Sequence, residues 1–135
     1  MQHHKSANHH LQETWIKAAT IAERHGDNHP FQVAYHGIFD DVVVALLHDS
    51  LEDGYSTVSE LKEKRFDKAT IDDVITLTRN KDETYVDYIK RIKKAGGRPL
   101  RVKLVDVKLN YYRSVATRHK SLVKRYRRAL ETLQA

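Results

Sequence analysis

The stretch with the most chemistry in this chain is His48-Asp49-Ser50-Leu51-Glu52-Asp53, which follows directly on an apolar run. An uninterrupted apolar run is typical of a buried segment, whether it is a helix or a strand. If a helix continues through the stretch, His48 and Glu52 lie in one row and the two aspartates in the next. Three carboxylates crowded at the end of a buried segment repel one another, and a bound cation is the simplest compensation. The stretch therefore predicts a cation site.

The composition limits which ligands such a site can use. The 135 residues include no cysteine, so disulfides, thiolate metal ligands and cysteine nucleophiles are excluded. A transition-metal site must therefore use histidine and carboxylate. The net charge of +6 and the pI of about 9.5 favour a phosphate-bearing partner, either a nucleotide or a nucleic acid. This preference is weak, because an ordinary soluble protein can have the same basic surface.

The length predicts one domain over residues 1–135, large enough to bury a single core. The longest apolar run is far shorter than the ~20 residues of a membrane span, and the N-terminus lacks a signal-peptide core. We therefore expect a cytoplasmic protein with no membrane partner. Residues 1–10 include four histidines and are otherwise mostly polar, which predicts a mobile tip that binds metal adventitiously.

The elements that must position the acidic stretch are predicted to be helices. Apolar residues recur at helical spacing over 11–24, and Gly26 ends this first helix. His29-Pro30 predicts the start of a second helix, and the helix with the acidic stretch follows it and ends at Gly54. A capping box that starts at Thr57 begins the next helix.

The second half of the chain continues this pattern. Helices are predicted from Thr70, from Tyr85 to the pair Gly96-Gly97, and over 119–133. Residues 100–110 leave two alternatives open, because their first half alternates like a strand and their second half has helical spacing. The whole pattern predicts an all-α fold of six or seven short helices.

Two further stretches match the acidic one in their residue types. They are His29 to Ala34, which begins with His-Pro, and Val102 to Asn110, which contains Lys-Leu-x-Asp-x-x-x-Asn. Together the three stretches resemble the HD superfamily of metal-dependent phosphohydrolases. More narrowly, they are similar to the hydrolase domain of RelA/SpoT-type alarmone enzymes and their small stand-alone relatives. The resemblance implies a single-domain HD-type helical bundle.

The resemblance implies metal ligands at His29, His48, Asp49 and Asp106. This mixed set of nitrogen and oxygen ligands suits Mn²⁺, and Fe or Zn also fits the ligand types. The resemblance, rather than the ligand chemistry, favours manganese. His36 is the alternative to His29, because His29 lies before a proline at a helix start.

Catalysis is assigned to the two acidic residues after the ligands. Glu52 and Asp53 lie one turn beyond the His-Asp pair, where either carboxylate could orient or deprotonate a water. A bound ion would lower the pKa of that water and polarise a phosphoryl oxygen. The resemblance thus predicts hydrolysis of a phosphate or pyrophosphate ester of a nucleotide, with (p)ppGpp 3′-pyrophosphohydrolase activity as the first candidate. A nucleotidase or a nucleoside triphosphate phosphohydrolase uses the same ligands and is the alternative.

Five residues are candidates for contacts with this nucleotide-like substrate: Arg24, Arg79, Lys103, Asn110 and Tyr126. For the basic residues the ordinary alternative is a solvated surface. Tyr126 resembles a late family position that contacts the nucleotide, and core packing is its alternative. Only three residues separate His25 from His29, where alarmone hydrolases have a longer nucleoside-contacting segment, so guanine specificity is open.

The C-terminal helix suggests a second class of function. Its basic residues predict a nucleic-acid-binding helical domain as the second choice: Lys120, Lys124, Arg125, Arg127 and Arg128. Such binding weakens steeply with salt and does not depend on metal ligands. The sequence leaves the oligomeric state open.

Overall fold

The computed structural model describes the backbone of residues 2–135 and the side chains of residues 10–135. This part of the chain has eight α-helices and no strand, so the prediction of an all-α fold is confirmed, with more helices than the six or seven expected. The prediction of a mobile, metal-binding tip at residues 1–10 stays a prediction, because the side chains of residues 1–9 lie outside the described part. The helices are α1 Gln2–Ala22, α2 His29–His36, α3 Val42–Leu47, α4 Val58–Glu63, α5 Lys68–Thr76, α6 Tyr85–Ala95, α7 Gly97–Ala116 and α8 Lys120–Gln134.

Helix α3 lies at the centre of the fold, where it packs against α1, α2, α5 and α7. Its last four residues, 44–47, are all buried, which explains why the apolar run has no polar side. Burying each Val or Leu side chain contributes about 1.5–3 kcal/mol. The start of α3 is tied to α7, because the Arg101 guanidinium donates two hydrogen bonds, both 2.9 Å long, to the buried Asp41 carboxylate.

The acidic stretch is not part of α3, contrary to the prediction of a helix up to Gly54. Helix α3 ends at Leu47, and residues 48–54 form successive turns. Ser50 N–H donates to the Leu47 carbonyl at 2.9 Å, and Asp53 N–H donates to the Asp49 carbonyl at 2.9 Å. These local hydrogen bonds keep Asp49 and Asp53 on one side of the chain. Gly54 ends the turns with φ +75°, a conformation that favours glycine.

Residues 100–110 belong to α7, so the helical alternative is confirmed. The strand-like alternation misleads because Lys103, one of the polar residues that produce it, is buried rather than solvated. Helix α7 begins at Gly97, directly after the end of α6, and both Gly96 and Gly97 have positive φ. The glycine pair therefore turns the chain between the two helices, as predicted.

Two helix starts show how side chains set the predicted boundaries. The Thr57 hydroxyl accepts a hydrogen bond from Glu60 N–H at 3.1 Å, so the predicted helix start there is confirmed. Helix α5 begins at Lys68 rather than at Thr70, because the Asp67 carboxylate caps it by accepting from Thr70 N–H at 2.7 Å. None of the described helices combines the length and the apolar character that crossing a membrane requires.

Replacing Asp67 by alanine should lower the free energy of unfolding by about 1 kcal/mol, as for other lost N-caps. The hydrogen bonds from Thr70 hold the pKa of Asp67 below its ordinary value. The cap therefore stabilises the fold fully above the unfolded-state pKa, and this contribution is lost as the pH falls through the lower folded-state pKa. Denaturant unfolding at neutral and acid pH measures both effects. Asp72→Ala is the control, since its ion pair with Lys68 is exposed; equal losses in both variants would contradict the capping role.

Candidate metal centre

Three distant parts of the chain bring His29, His48 and Asp106 together. His29 is the first residue of α2, His48 follows the end of α3, and Asp106 lies in α7. All three side chains are buried, and one potential ligand atom of each lies within 4.8 Å of the others. His36, the alternative ligand, is exposed and lies beside Tyr35 instead. The structure thus assembles three of the four predicted ligands, with His29 rather than His36.

The local structure before α2 fixes the direction of His29. Its backbone N–H donates to the Asp27 carboxylate at 2.8 Å, so Asp27 caps the helix from two residues upstream. This hydrogen bond is the main reason why the pKa of Asp27 is lowered. Pro30 occupies the first turn, where its missing N–H costs nothing. The buried side chain of His29 is therefore held at a helix start that these contacts fix in place.

The ring of His48 is held in one orientation. Its Nδ1 lies 2.6 Å from the Ala45 carbonyl oxygen, which can only accept, so Nδ1 bears a proton. Its Nε2 lies 3.1 Å from Asp49 Oδ2 and 3.5 Å from Asp106 Oδ1. Among the described residues this buried nitrogen has no well-aligned hydrogen-bond partner. Metal-binding histidines have this arrangement, with one ring nitrogen donating to a carbonyl and the other facing the ion.

The two oxygens of Asp106 have different partners. Oδ2 accepts from the ammonium of Lys103 at 2.9 Å, whereas Oδ1 lies 2.7 Å from His29 Nε2 and accepts from Asn110 at 3.1 Å. Ligands that each lie about 2.1 Å from one ion are about 3.0–3.4 Å apart in octahedral or tetrahedral geometry. The separations from Asp106 Oδ1 to the two imidazole nitrogens, 2.7 and 3.5 Å, bracket that range. The residues present therefore fit a divalent ion.

The charges of the group balance one another in the metal-free protein. Burial lowers the pKa of His48, but the carboxylates of Asp49 and Asp106 outweigh it and raise this pKa to about 10. Burial likewise opposes ionisation of Asp106, but Lys103 and His48 hold its pKa well below the ordinary value. Asp49 also has a lowered pKa, because the charge of His48 outweighs burial. In the metal-free protein the protonated His48 thus lies between the ionised carboxylates of the buried Asp106 and the half-buried Asp49, and a divalent ion would take the place of the proton on its Nε2.

Asp49 belongs to two groups at once. Its Oδ2 lies 3.1 Å from His48 Nε2 and 3.6 Å from His25 Nε2. Asp53 Oδ2 is also 3.6 Å from His25 Nε2, so His25, Asp49 and Asp53 form a second cluster of potential ligands. The sequence reasoning did not propose His25 as a ligand. No local pattern indicates it, because the helical turn ends at Gly26 and His25 and His29 do not share a helix.

Glu52 and Asp53, the predicted catalytic residues, both line a cavity next to the buried group. Glu52 Oε1 accepts a hydrogen bond from Arg79 N–H at 2.8 Å, which fixes the carboxylate at the cavity wall. Asp53 is exposed as well, and its partial burial together with the nearby Asp49 raises its pKa. Both carboxylates therefore face the space that a substrate would enter.

The cavity has a volume of about 230 Å³. Four of the five predicted substrate contacts line it, namely Arg79, Lys103, Asn110 and Tyr126. Arg24 lies elsewhere, with its guanidinium donating to Glu60 at 2.7 Å and to the Tyr55 carbonyl at 3.0 Å. Sequence reasoning missed three further lining residues, which are Tyr85, Tyr88 and Arg125. Tyr85 and Tyr88 recur with Ile89 and Ile92 at helical spacing, which indicates an apolar helix face, and Arg125 lies in the basic C-terminal helix.

No protein-family model matches the chain, and a search of the curated proteins finds no match. Fold and site together define an all-α protein with a buried His-His-Asp group that could bind a metal ion. This description is loosely compatible with an HD-type domain. The finer likeness comes from the three sequence stretches alone.

Proposed function

We propose that this protein is an HD-type metal-dependent phosphohydrolase that acts on a nucleotide, with removal of the 3′-pyrophosphate of (p)ppGpp as the first candidate reaction. The observation that supports a metal centre most strongly is the buried Nε2 of His48, which faces two carboxylates while the Ala45 carbonyl fixes its other ring nitrogen. The substrate class is supported by the resemblance of the three sequence stretches and by the basic residues around the cavity.

His29, His48 and Asp106 would hold the ion, and Asp49 would complete the set. Manganese is our first choice, and iron or zinc also fits these ligand types. Such an ion lowers the pKa of a coordinated water and withdraws charge from a phosphoryl oxygen. Lys103 keeps Asp106 oriented, because it occupies Oδ2 and leaves Oδ1 for the histidine side.

The residues that line the cavity have separate roles in the proposed reaction. Glu52, fixed by the Arg79 backbone, is placed to accept a proton from the attacking water. The guanidinium groups of Arg79 and Arg125 and the ammonium of Lys103 offset part of the repulsion that a phosphate meets among the four carboxylates that line the cavity. Without such cations a phosphate would be repelled from this cavity.

The same residues serve a nucleotidase or a nucleoside triphosphate phosphohydrolase equally well, so product identification decides between them. The purified protein would be incubated with Mn²⁺ and a panel of (p)ppGpp, nucleoside triphosphates and nucleoside monophosphates, followed by anion-exchange chromatography. Release of pyrophosphate from (p)ppGpp supports the first candidate. Release of phosphate or triphosphate from the other nucleotides supports the alternative enzyme. No Mn²⁺-, Fe- or Zn-dependent turnover of any nucleotide would contradict the proposal.

A nucleic-acid-binding surface is the second candidate, and a separate groove supports it. This groove, about 630 Å³ in volume, lies between α7 and α8, and its lining includes Tyr111, Arg118, Lys120, Lys124 and Arg127. Basic residues beside an aromatic ring suit a phosphate backbone with stacked bases. Binding of RNA or DNA there should weaken steeply with salt and be unaffected by removal of the metal.

Glu52→Gln should lower kcat by about 10²–10⁴-fold, the usual contribution of a general base. The metal content should not change, because Glu52 is not among the clustered ligands. Steady-state assays and elemental analysis measure the two quantities. Glu63→Gln is the matched control, since Glu63 is exposed on α4 and outside the cavity. An unchanged kcat in Glu52→Gln would contradict the assignment of Glu52 as the base.

A further inference from the structure

The cavity at the metal centre is too small for a whole nucleotide. Its volume is about 230 Å³, whereas pockets that enclose a whole small ligand measure about 300–1,000 Å³. Its lining consists almost entirely of charged residues and tyrosines. It therefore suits a phosphate or pyrophosphate group, and the rest of a nucleotide has to lie outside it.

A larger groove of about 720 Å³ adjoins this cavity, between α6 and α8. Tyr85 and Arg125 line both spaces, so the two are neighbours. The guanidinium carbon of Arg125 lies 4.5 Å from the centre of the Tyr85 ring, which makes this stacked pair their shared wall. A ligand that occupied both spaces would therefore have to lie across this pair.

The lining of the groove combines apolar and cationic groups. Val86 and Ile89 line it beside the Tyr85 ring, a surface that suits a flat base. Arg125 and Arg128 line it from α8, one helical turn apart. Glu131 is the one carboxylate of the described lining residues, so the groove has a net positive charge.

We propose that this groove is a second subsite, which holds the nucleoside and a non-scissile phosphate group of a nucleotide whose scissile phosphate lies at the metal centre. Arg128 contacts the non-scissile phosphate, and Arg125 stands between the two phosphate groups. The inference rests on the proposed function for the reaction at the metal centre. Binding in the groove, however, can be measured without turnover.

The test compares two neighbouring arginines of α8. Both are exposed, but Arg128 lines this groove, whereas Arg127 lines the separate groove against α7. Guanosine 5′-diphosphate, guanosine and, with Mn²⁺, inorganic pyrophosphate would be titrated calorimetrically into wild type, Arg128→Gln and Arg127→Gln. Loss of one charge-assisted contact predicts about tenfold weaker binding of the diphosphate to Arg128→Gln. Arg127→Gln should change it less than about twofold, because only long-range charge is lost.

Guanosine and pyrophosphate show whether Arg128→Gln weakens binding of the nucleoside, of a phosphate group in the groove or of a phosphate group at the metal centre. Arg128→Gln should leave the affinities for both nearly unchanged, since guanosine carries no phosphate and pyrophosphate binds at the metal centre. Equal weakening of diphosphate binding by the two variants would overturn the subsite, and so would a wild-type protein that does not bind the diphosphate. If the diphosphate depends on Arg128 but no nucleotide is hydrolysed, the subsite stands and the proposed function fails. If nucleotides are hydrolysed with a KM insensitive to Arg128→Gln, the function stands and the subsite fails.

Discussion

Replacing Asp106 by asparagine should abolish both metal binding and turnover, and it should also destabilise the fold. Oδ1 of Asp106 is the oxygen that meets His29 and His48, so the variant loses the anionic ligand of the buried group. It also removes the carboxylate to which the buried Lys103 ammonium donates. Breaking a buried ion pair by removing one partner costs about 3–5 kcal/mol. Elemental analysis, assays with added Mn²⁺ and denaturant unfolding measure the three effects.

A charge change elsewhere provides the control for Asp106→Asn. Asp82 lies exposed in the turn between α5 and α6. Asp82→Asn removes the same formal charge, and it should keep the metal, the turnover and the wild-type stability to within about 0.5 kcal/mol. Stoichiometric metal and full turnover in folded Asp106→Asn would show that the buried group is a structural ion-pair network rather than a metal centre.

The convergence of the ligands could be predicted from the sequence only through the resemblance. His48 and Asp106 lie far apart in the chain, and no spacing rule shows that α3 and α7 pack side by side. The orientation of the His48 ring could not be predicted either, because it depends on a carbonyl at the end of a helix whose last residue the pattern misplaced. Local chemistry was easier to predict, as the cap at Thr57 shows, since cap and helix start are neighbours in the chain.

The wrong prediction for Arg24 and the strand-like pattern in α7 each have a physical cause. Arg24 was selected because it precedes His29 closely, but the partner that fixes its guanidinium is Glu60, which only the tertiary structure brings near. Lys103 makes the first half of residues 100–110 resemble a strand, because a polar residue that is neutralised by an ion pair with Asp106 can be buried where the pattern expects solvent. Sequence patterns assume that polar residues face water, and that assumption fails where a site requires buried charge.

Lys103→Met should destabilise the metal-free protein strongly. The substitution tests whether the carboxylates around His29, His48 and Asp106 require a positive charge beside them. Lys103 is buried, donates to Asp106 at 2.9 Å and lies 4.8 Å from the centre of the Tyr88 ring. Burial lowers its pKa, but Asp106 and the nearby tyrosines raise it well above the ordinary value, so the ammonium is charged. Methionine keeps the side-chain length and removes the charge. The metal-free variant should therefore lose about 3–5 kcal/mol of stability.

A divalent ion should restore more stability to Lys103→Met than it adds to the wild type. Once the ammonium is gone, the carboxylates of Asp49 and Asp106 have less positive charge beside them, so the ion binds more tightly and stabilises the native state by mass action. Thermal unfolding at increasing Mn²⁺ concentration measures this difference. Lys108→Met is the matched control, because Lys108 is exposed on the same helix and should leave both the metal-free stability and the response to Mn²⁺ unchanged. If Mn²⁺ stabilised Lys103→Met less than the wild type, Lys103 would act by holding Asp106 in position, and charge compensation would not be what the ion supplies.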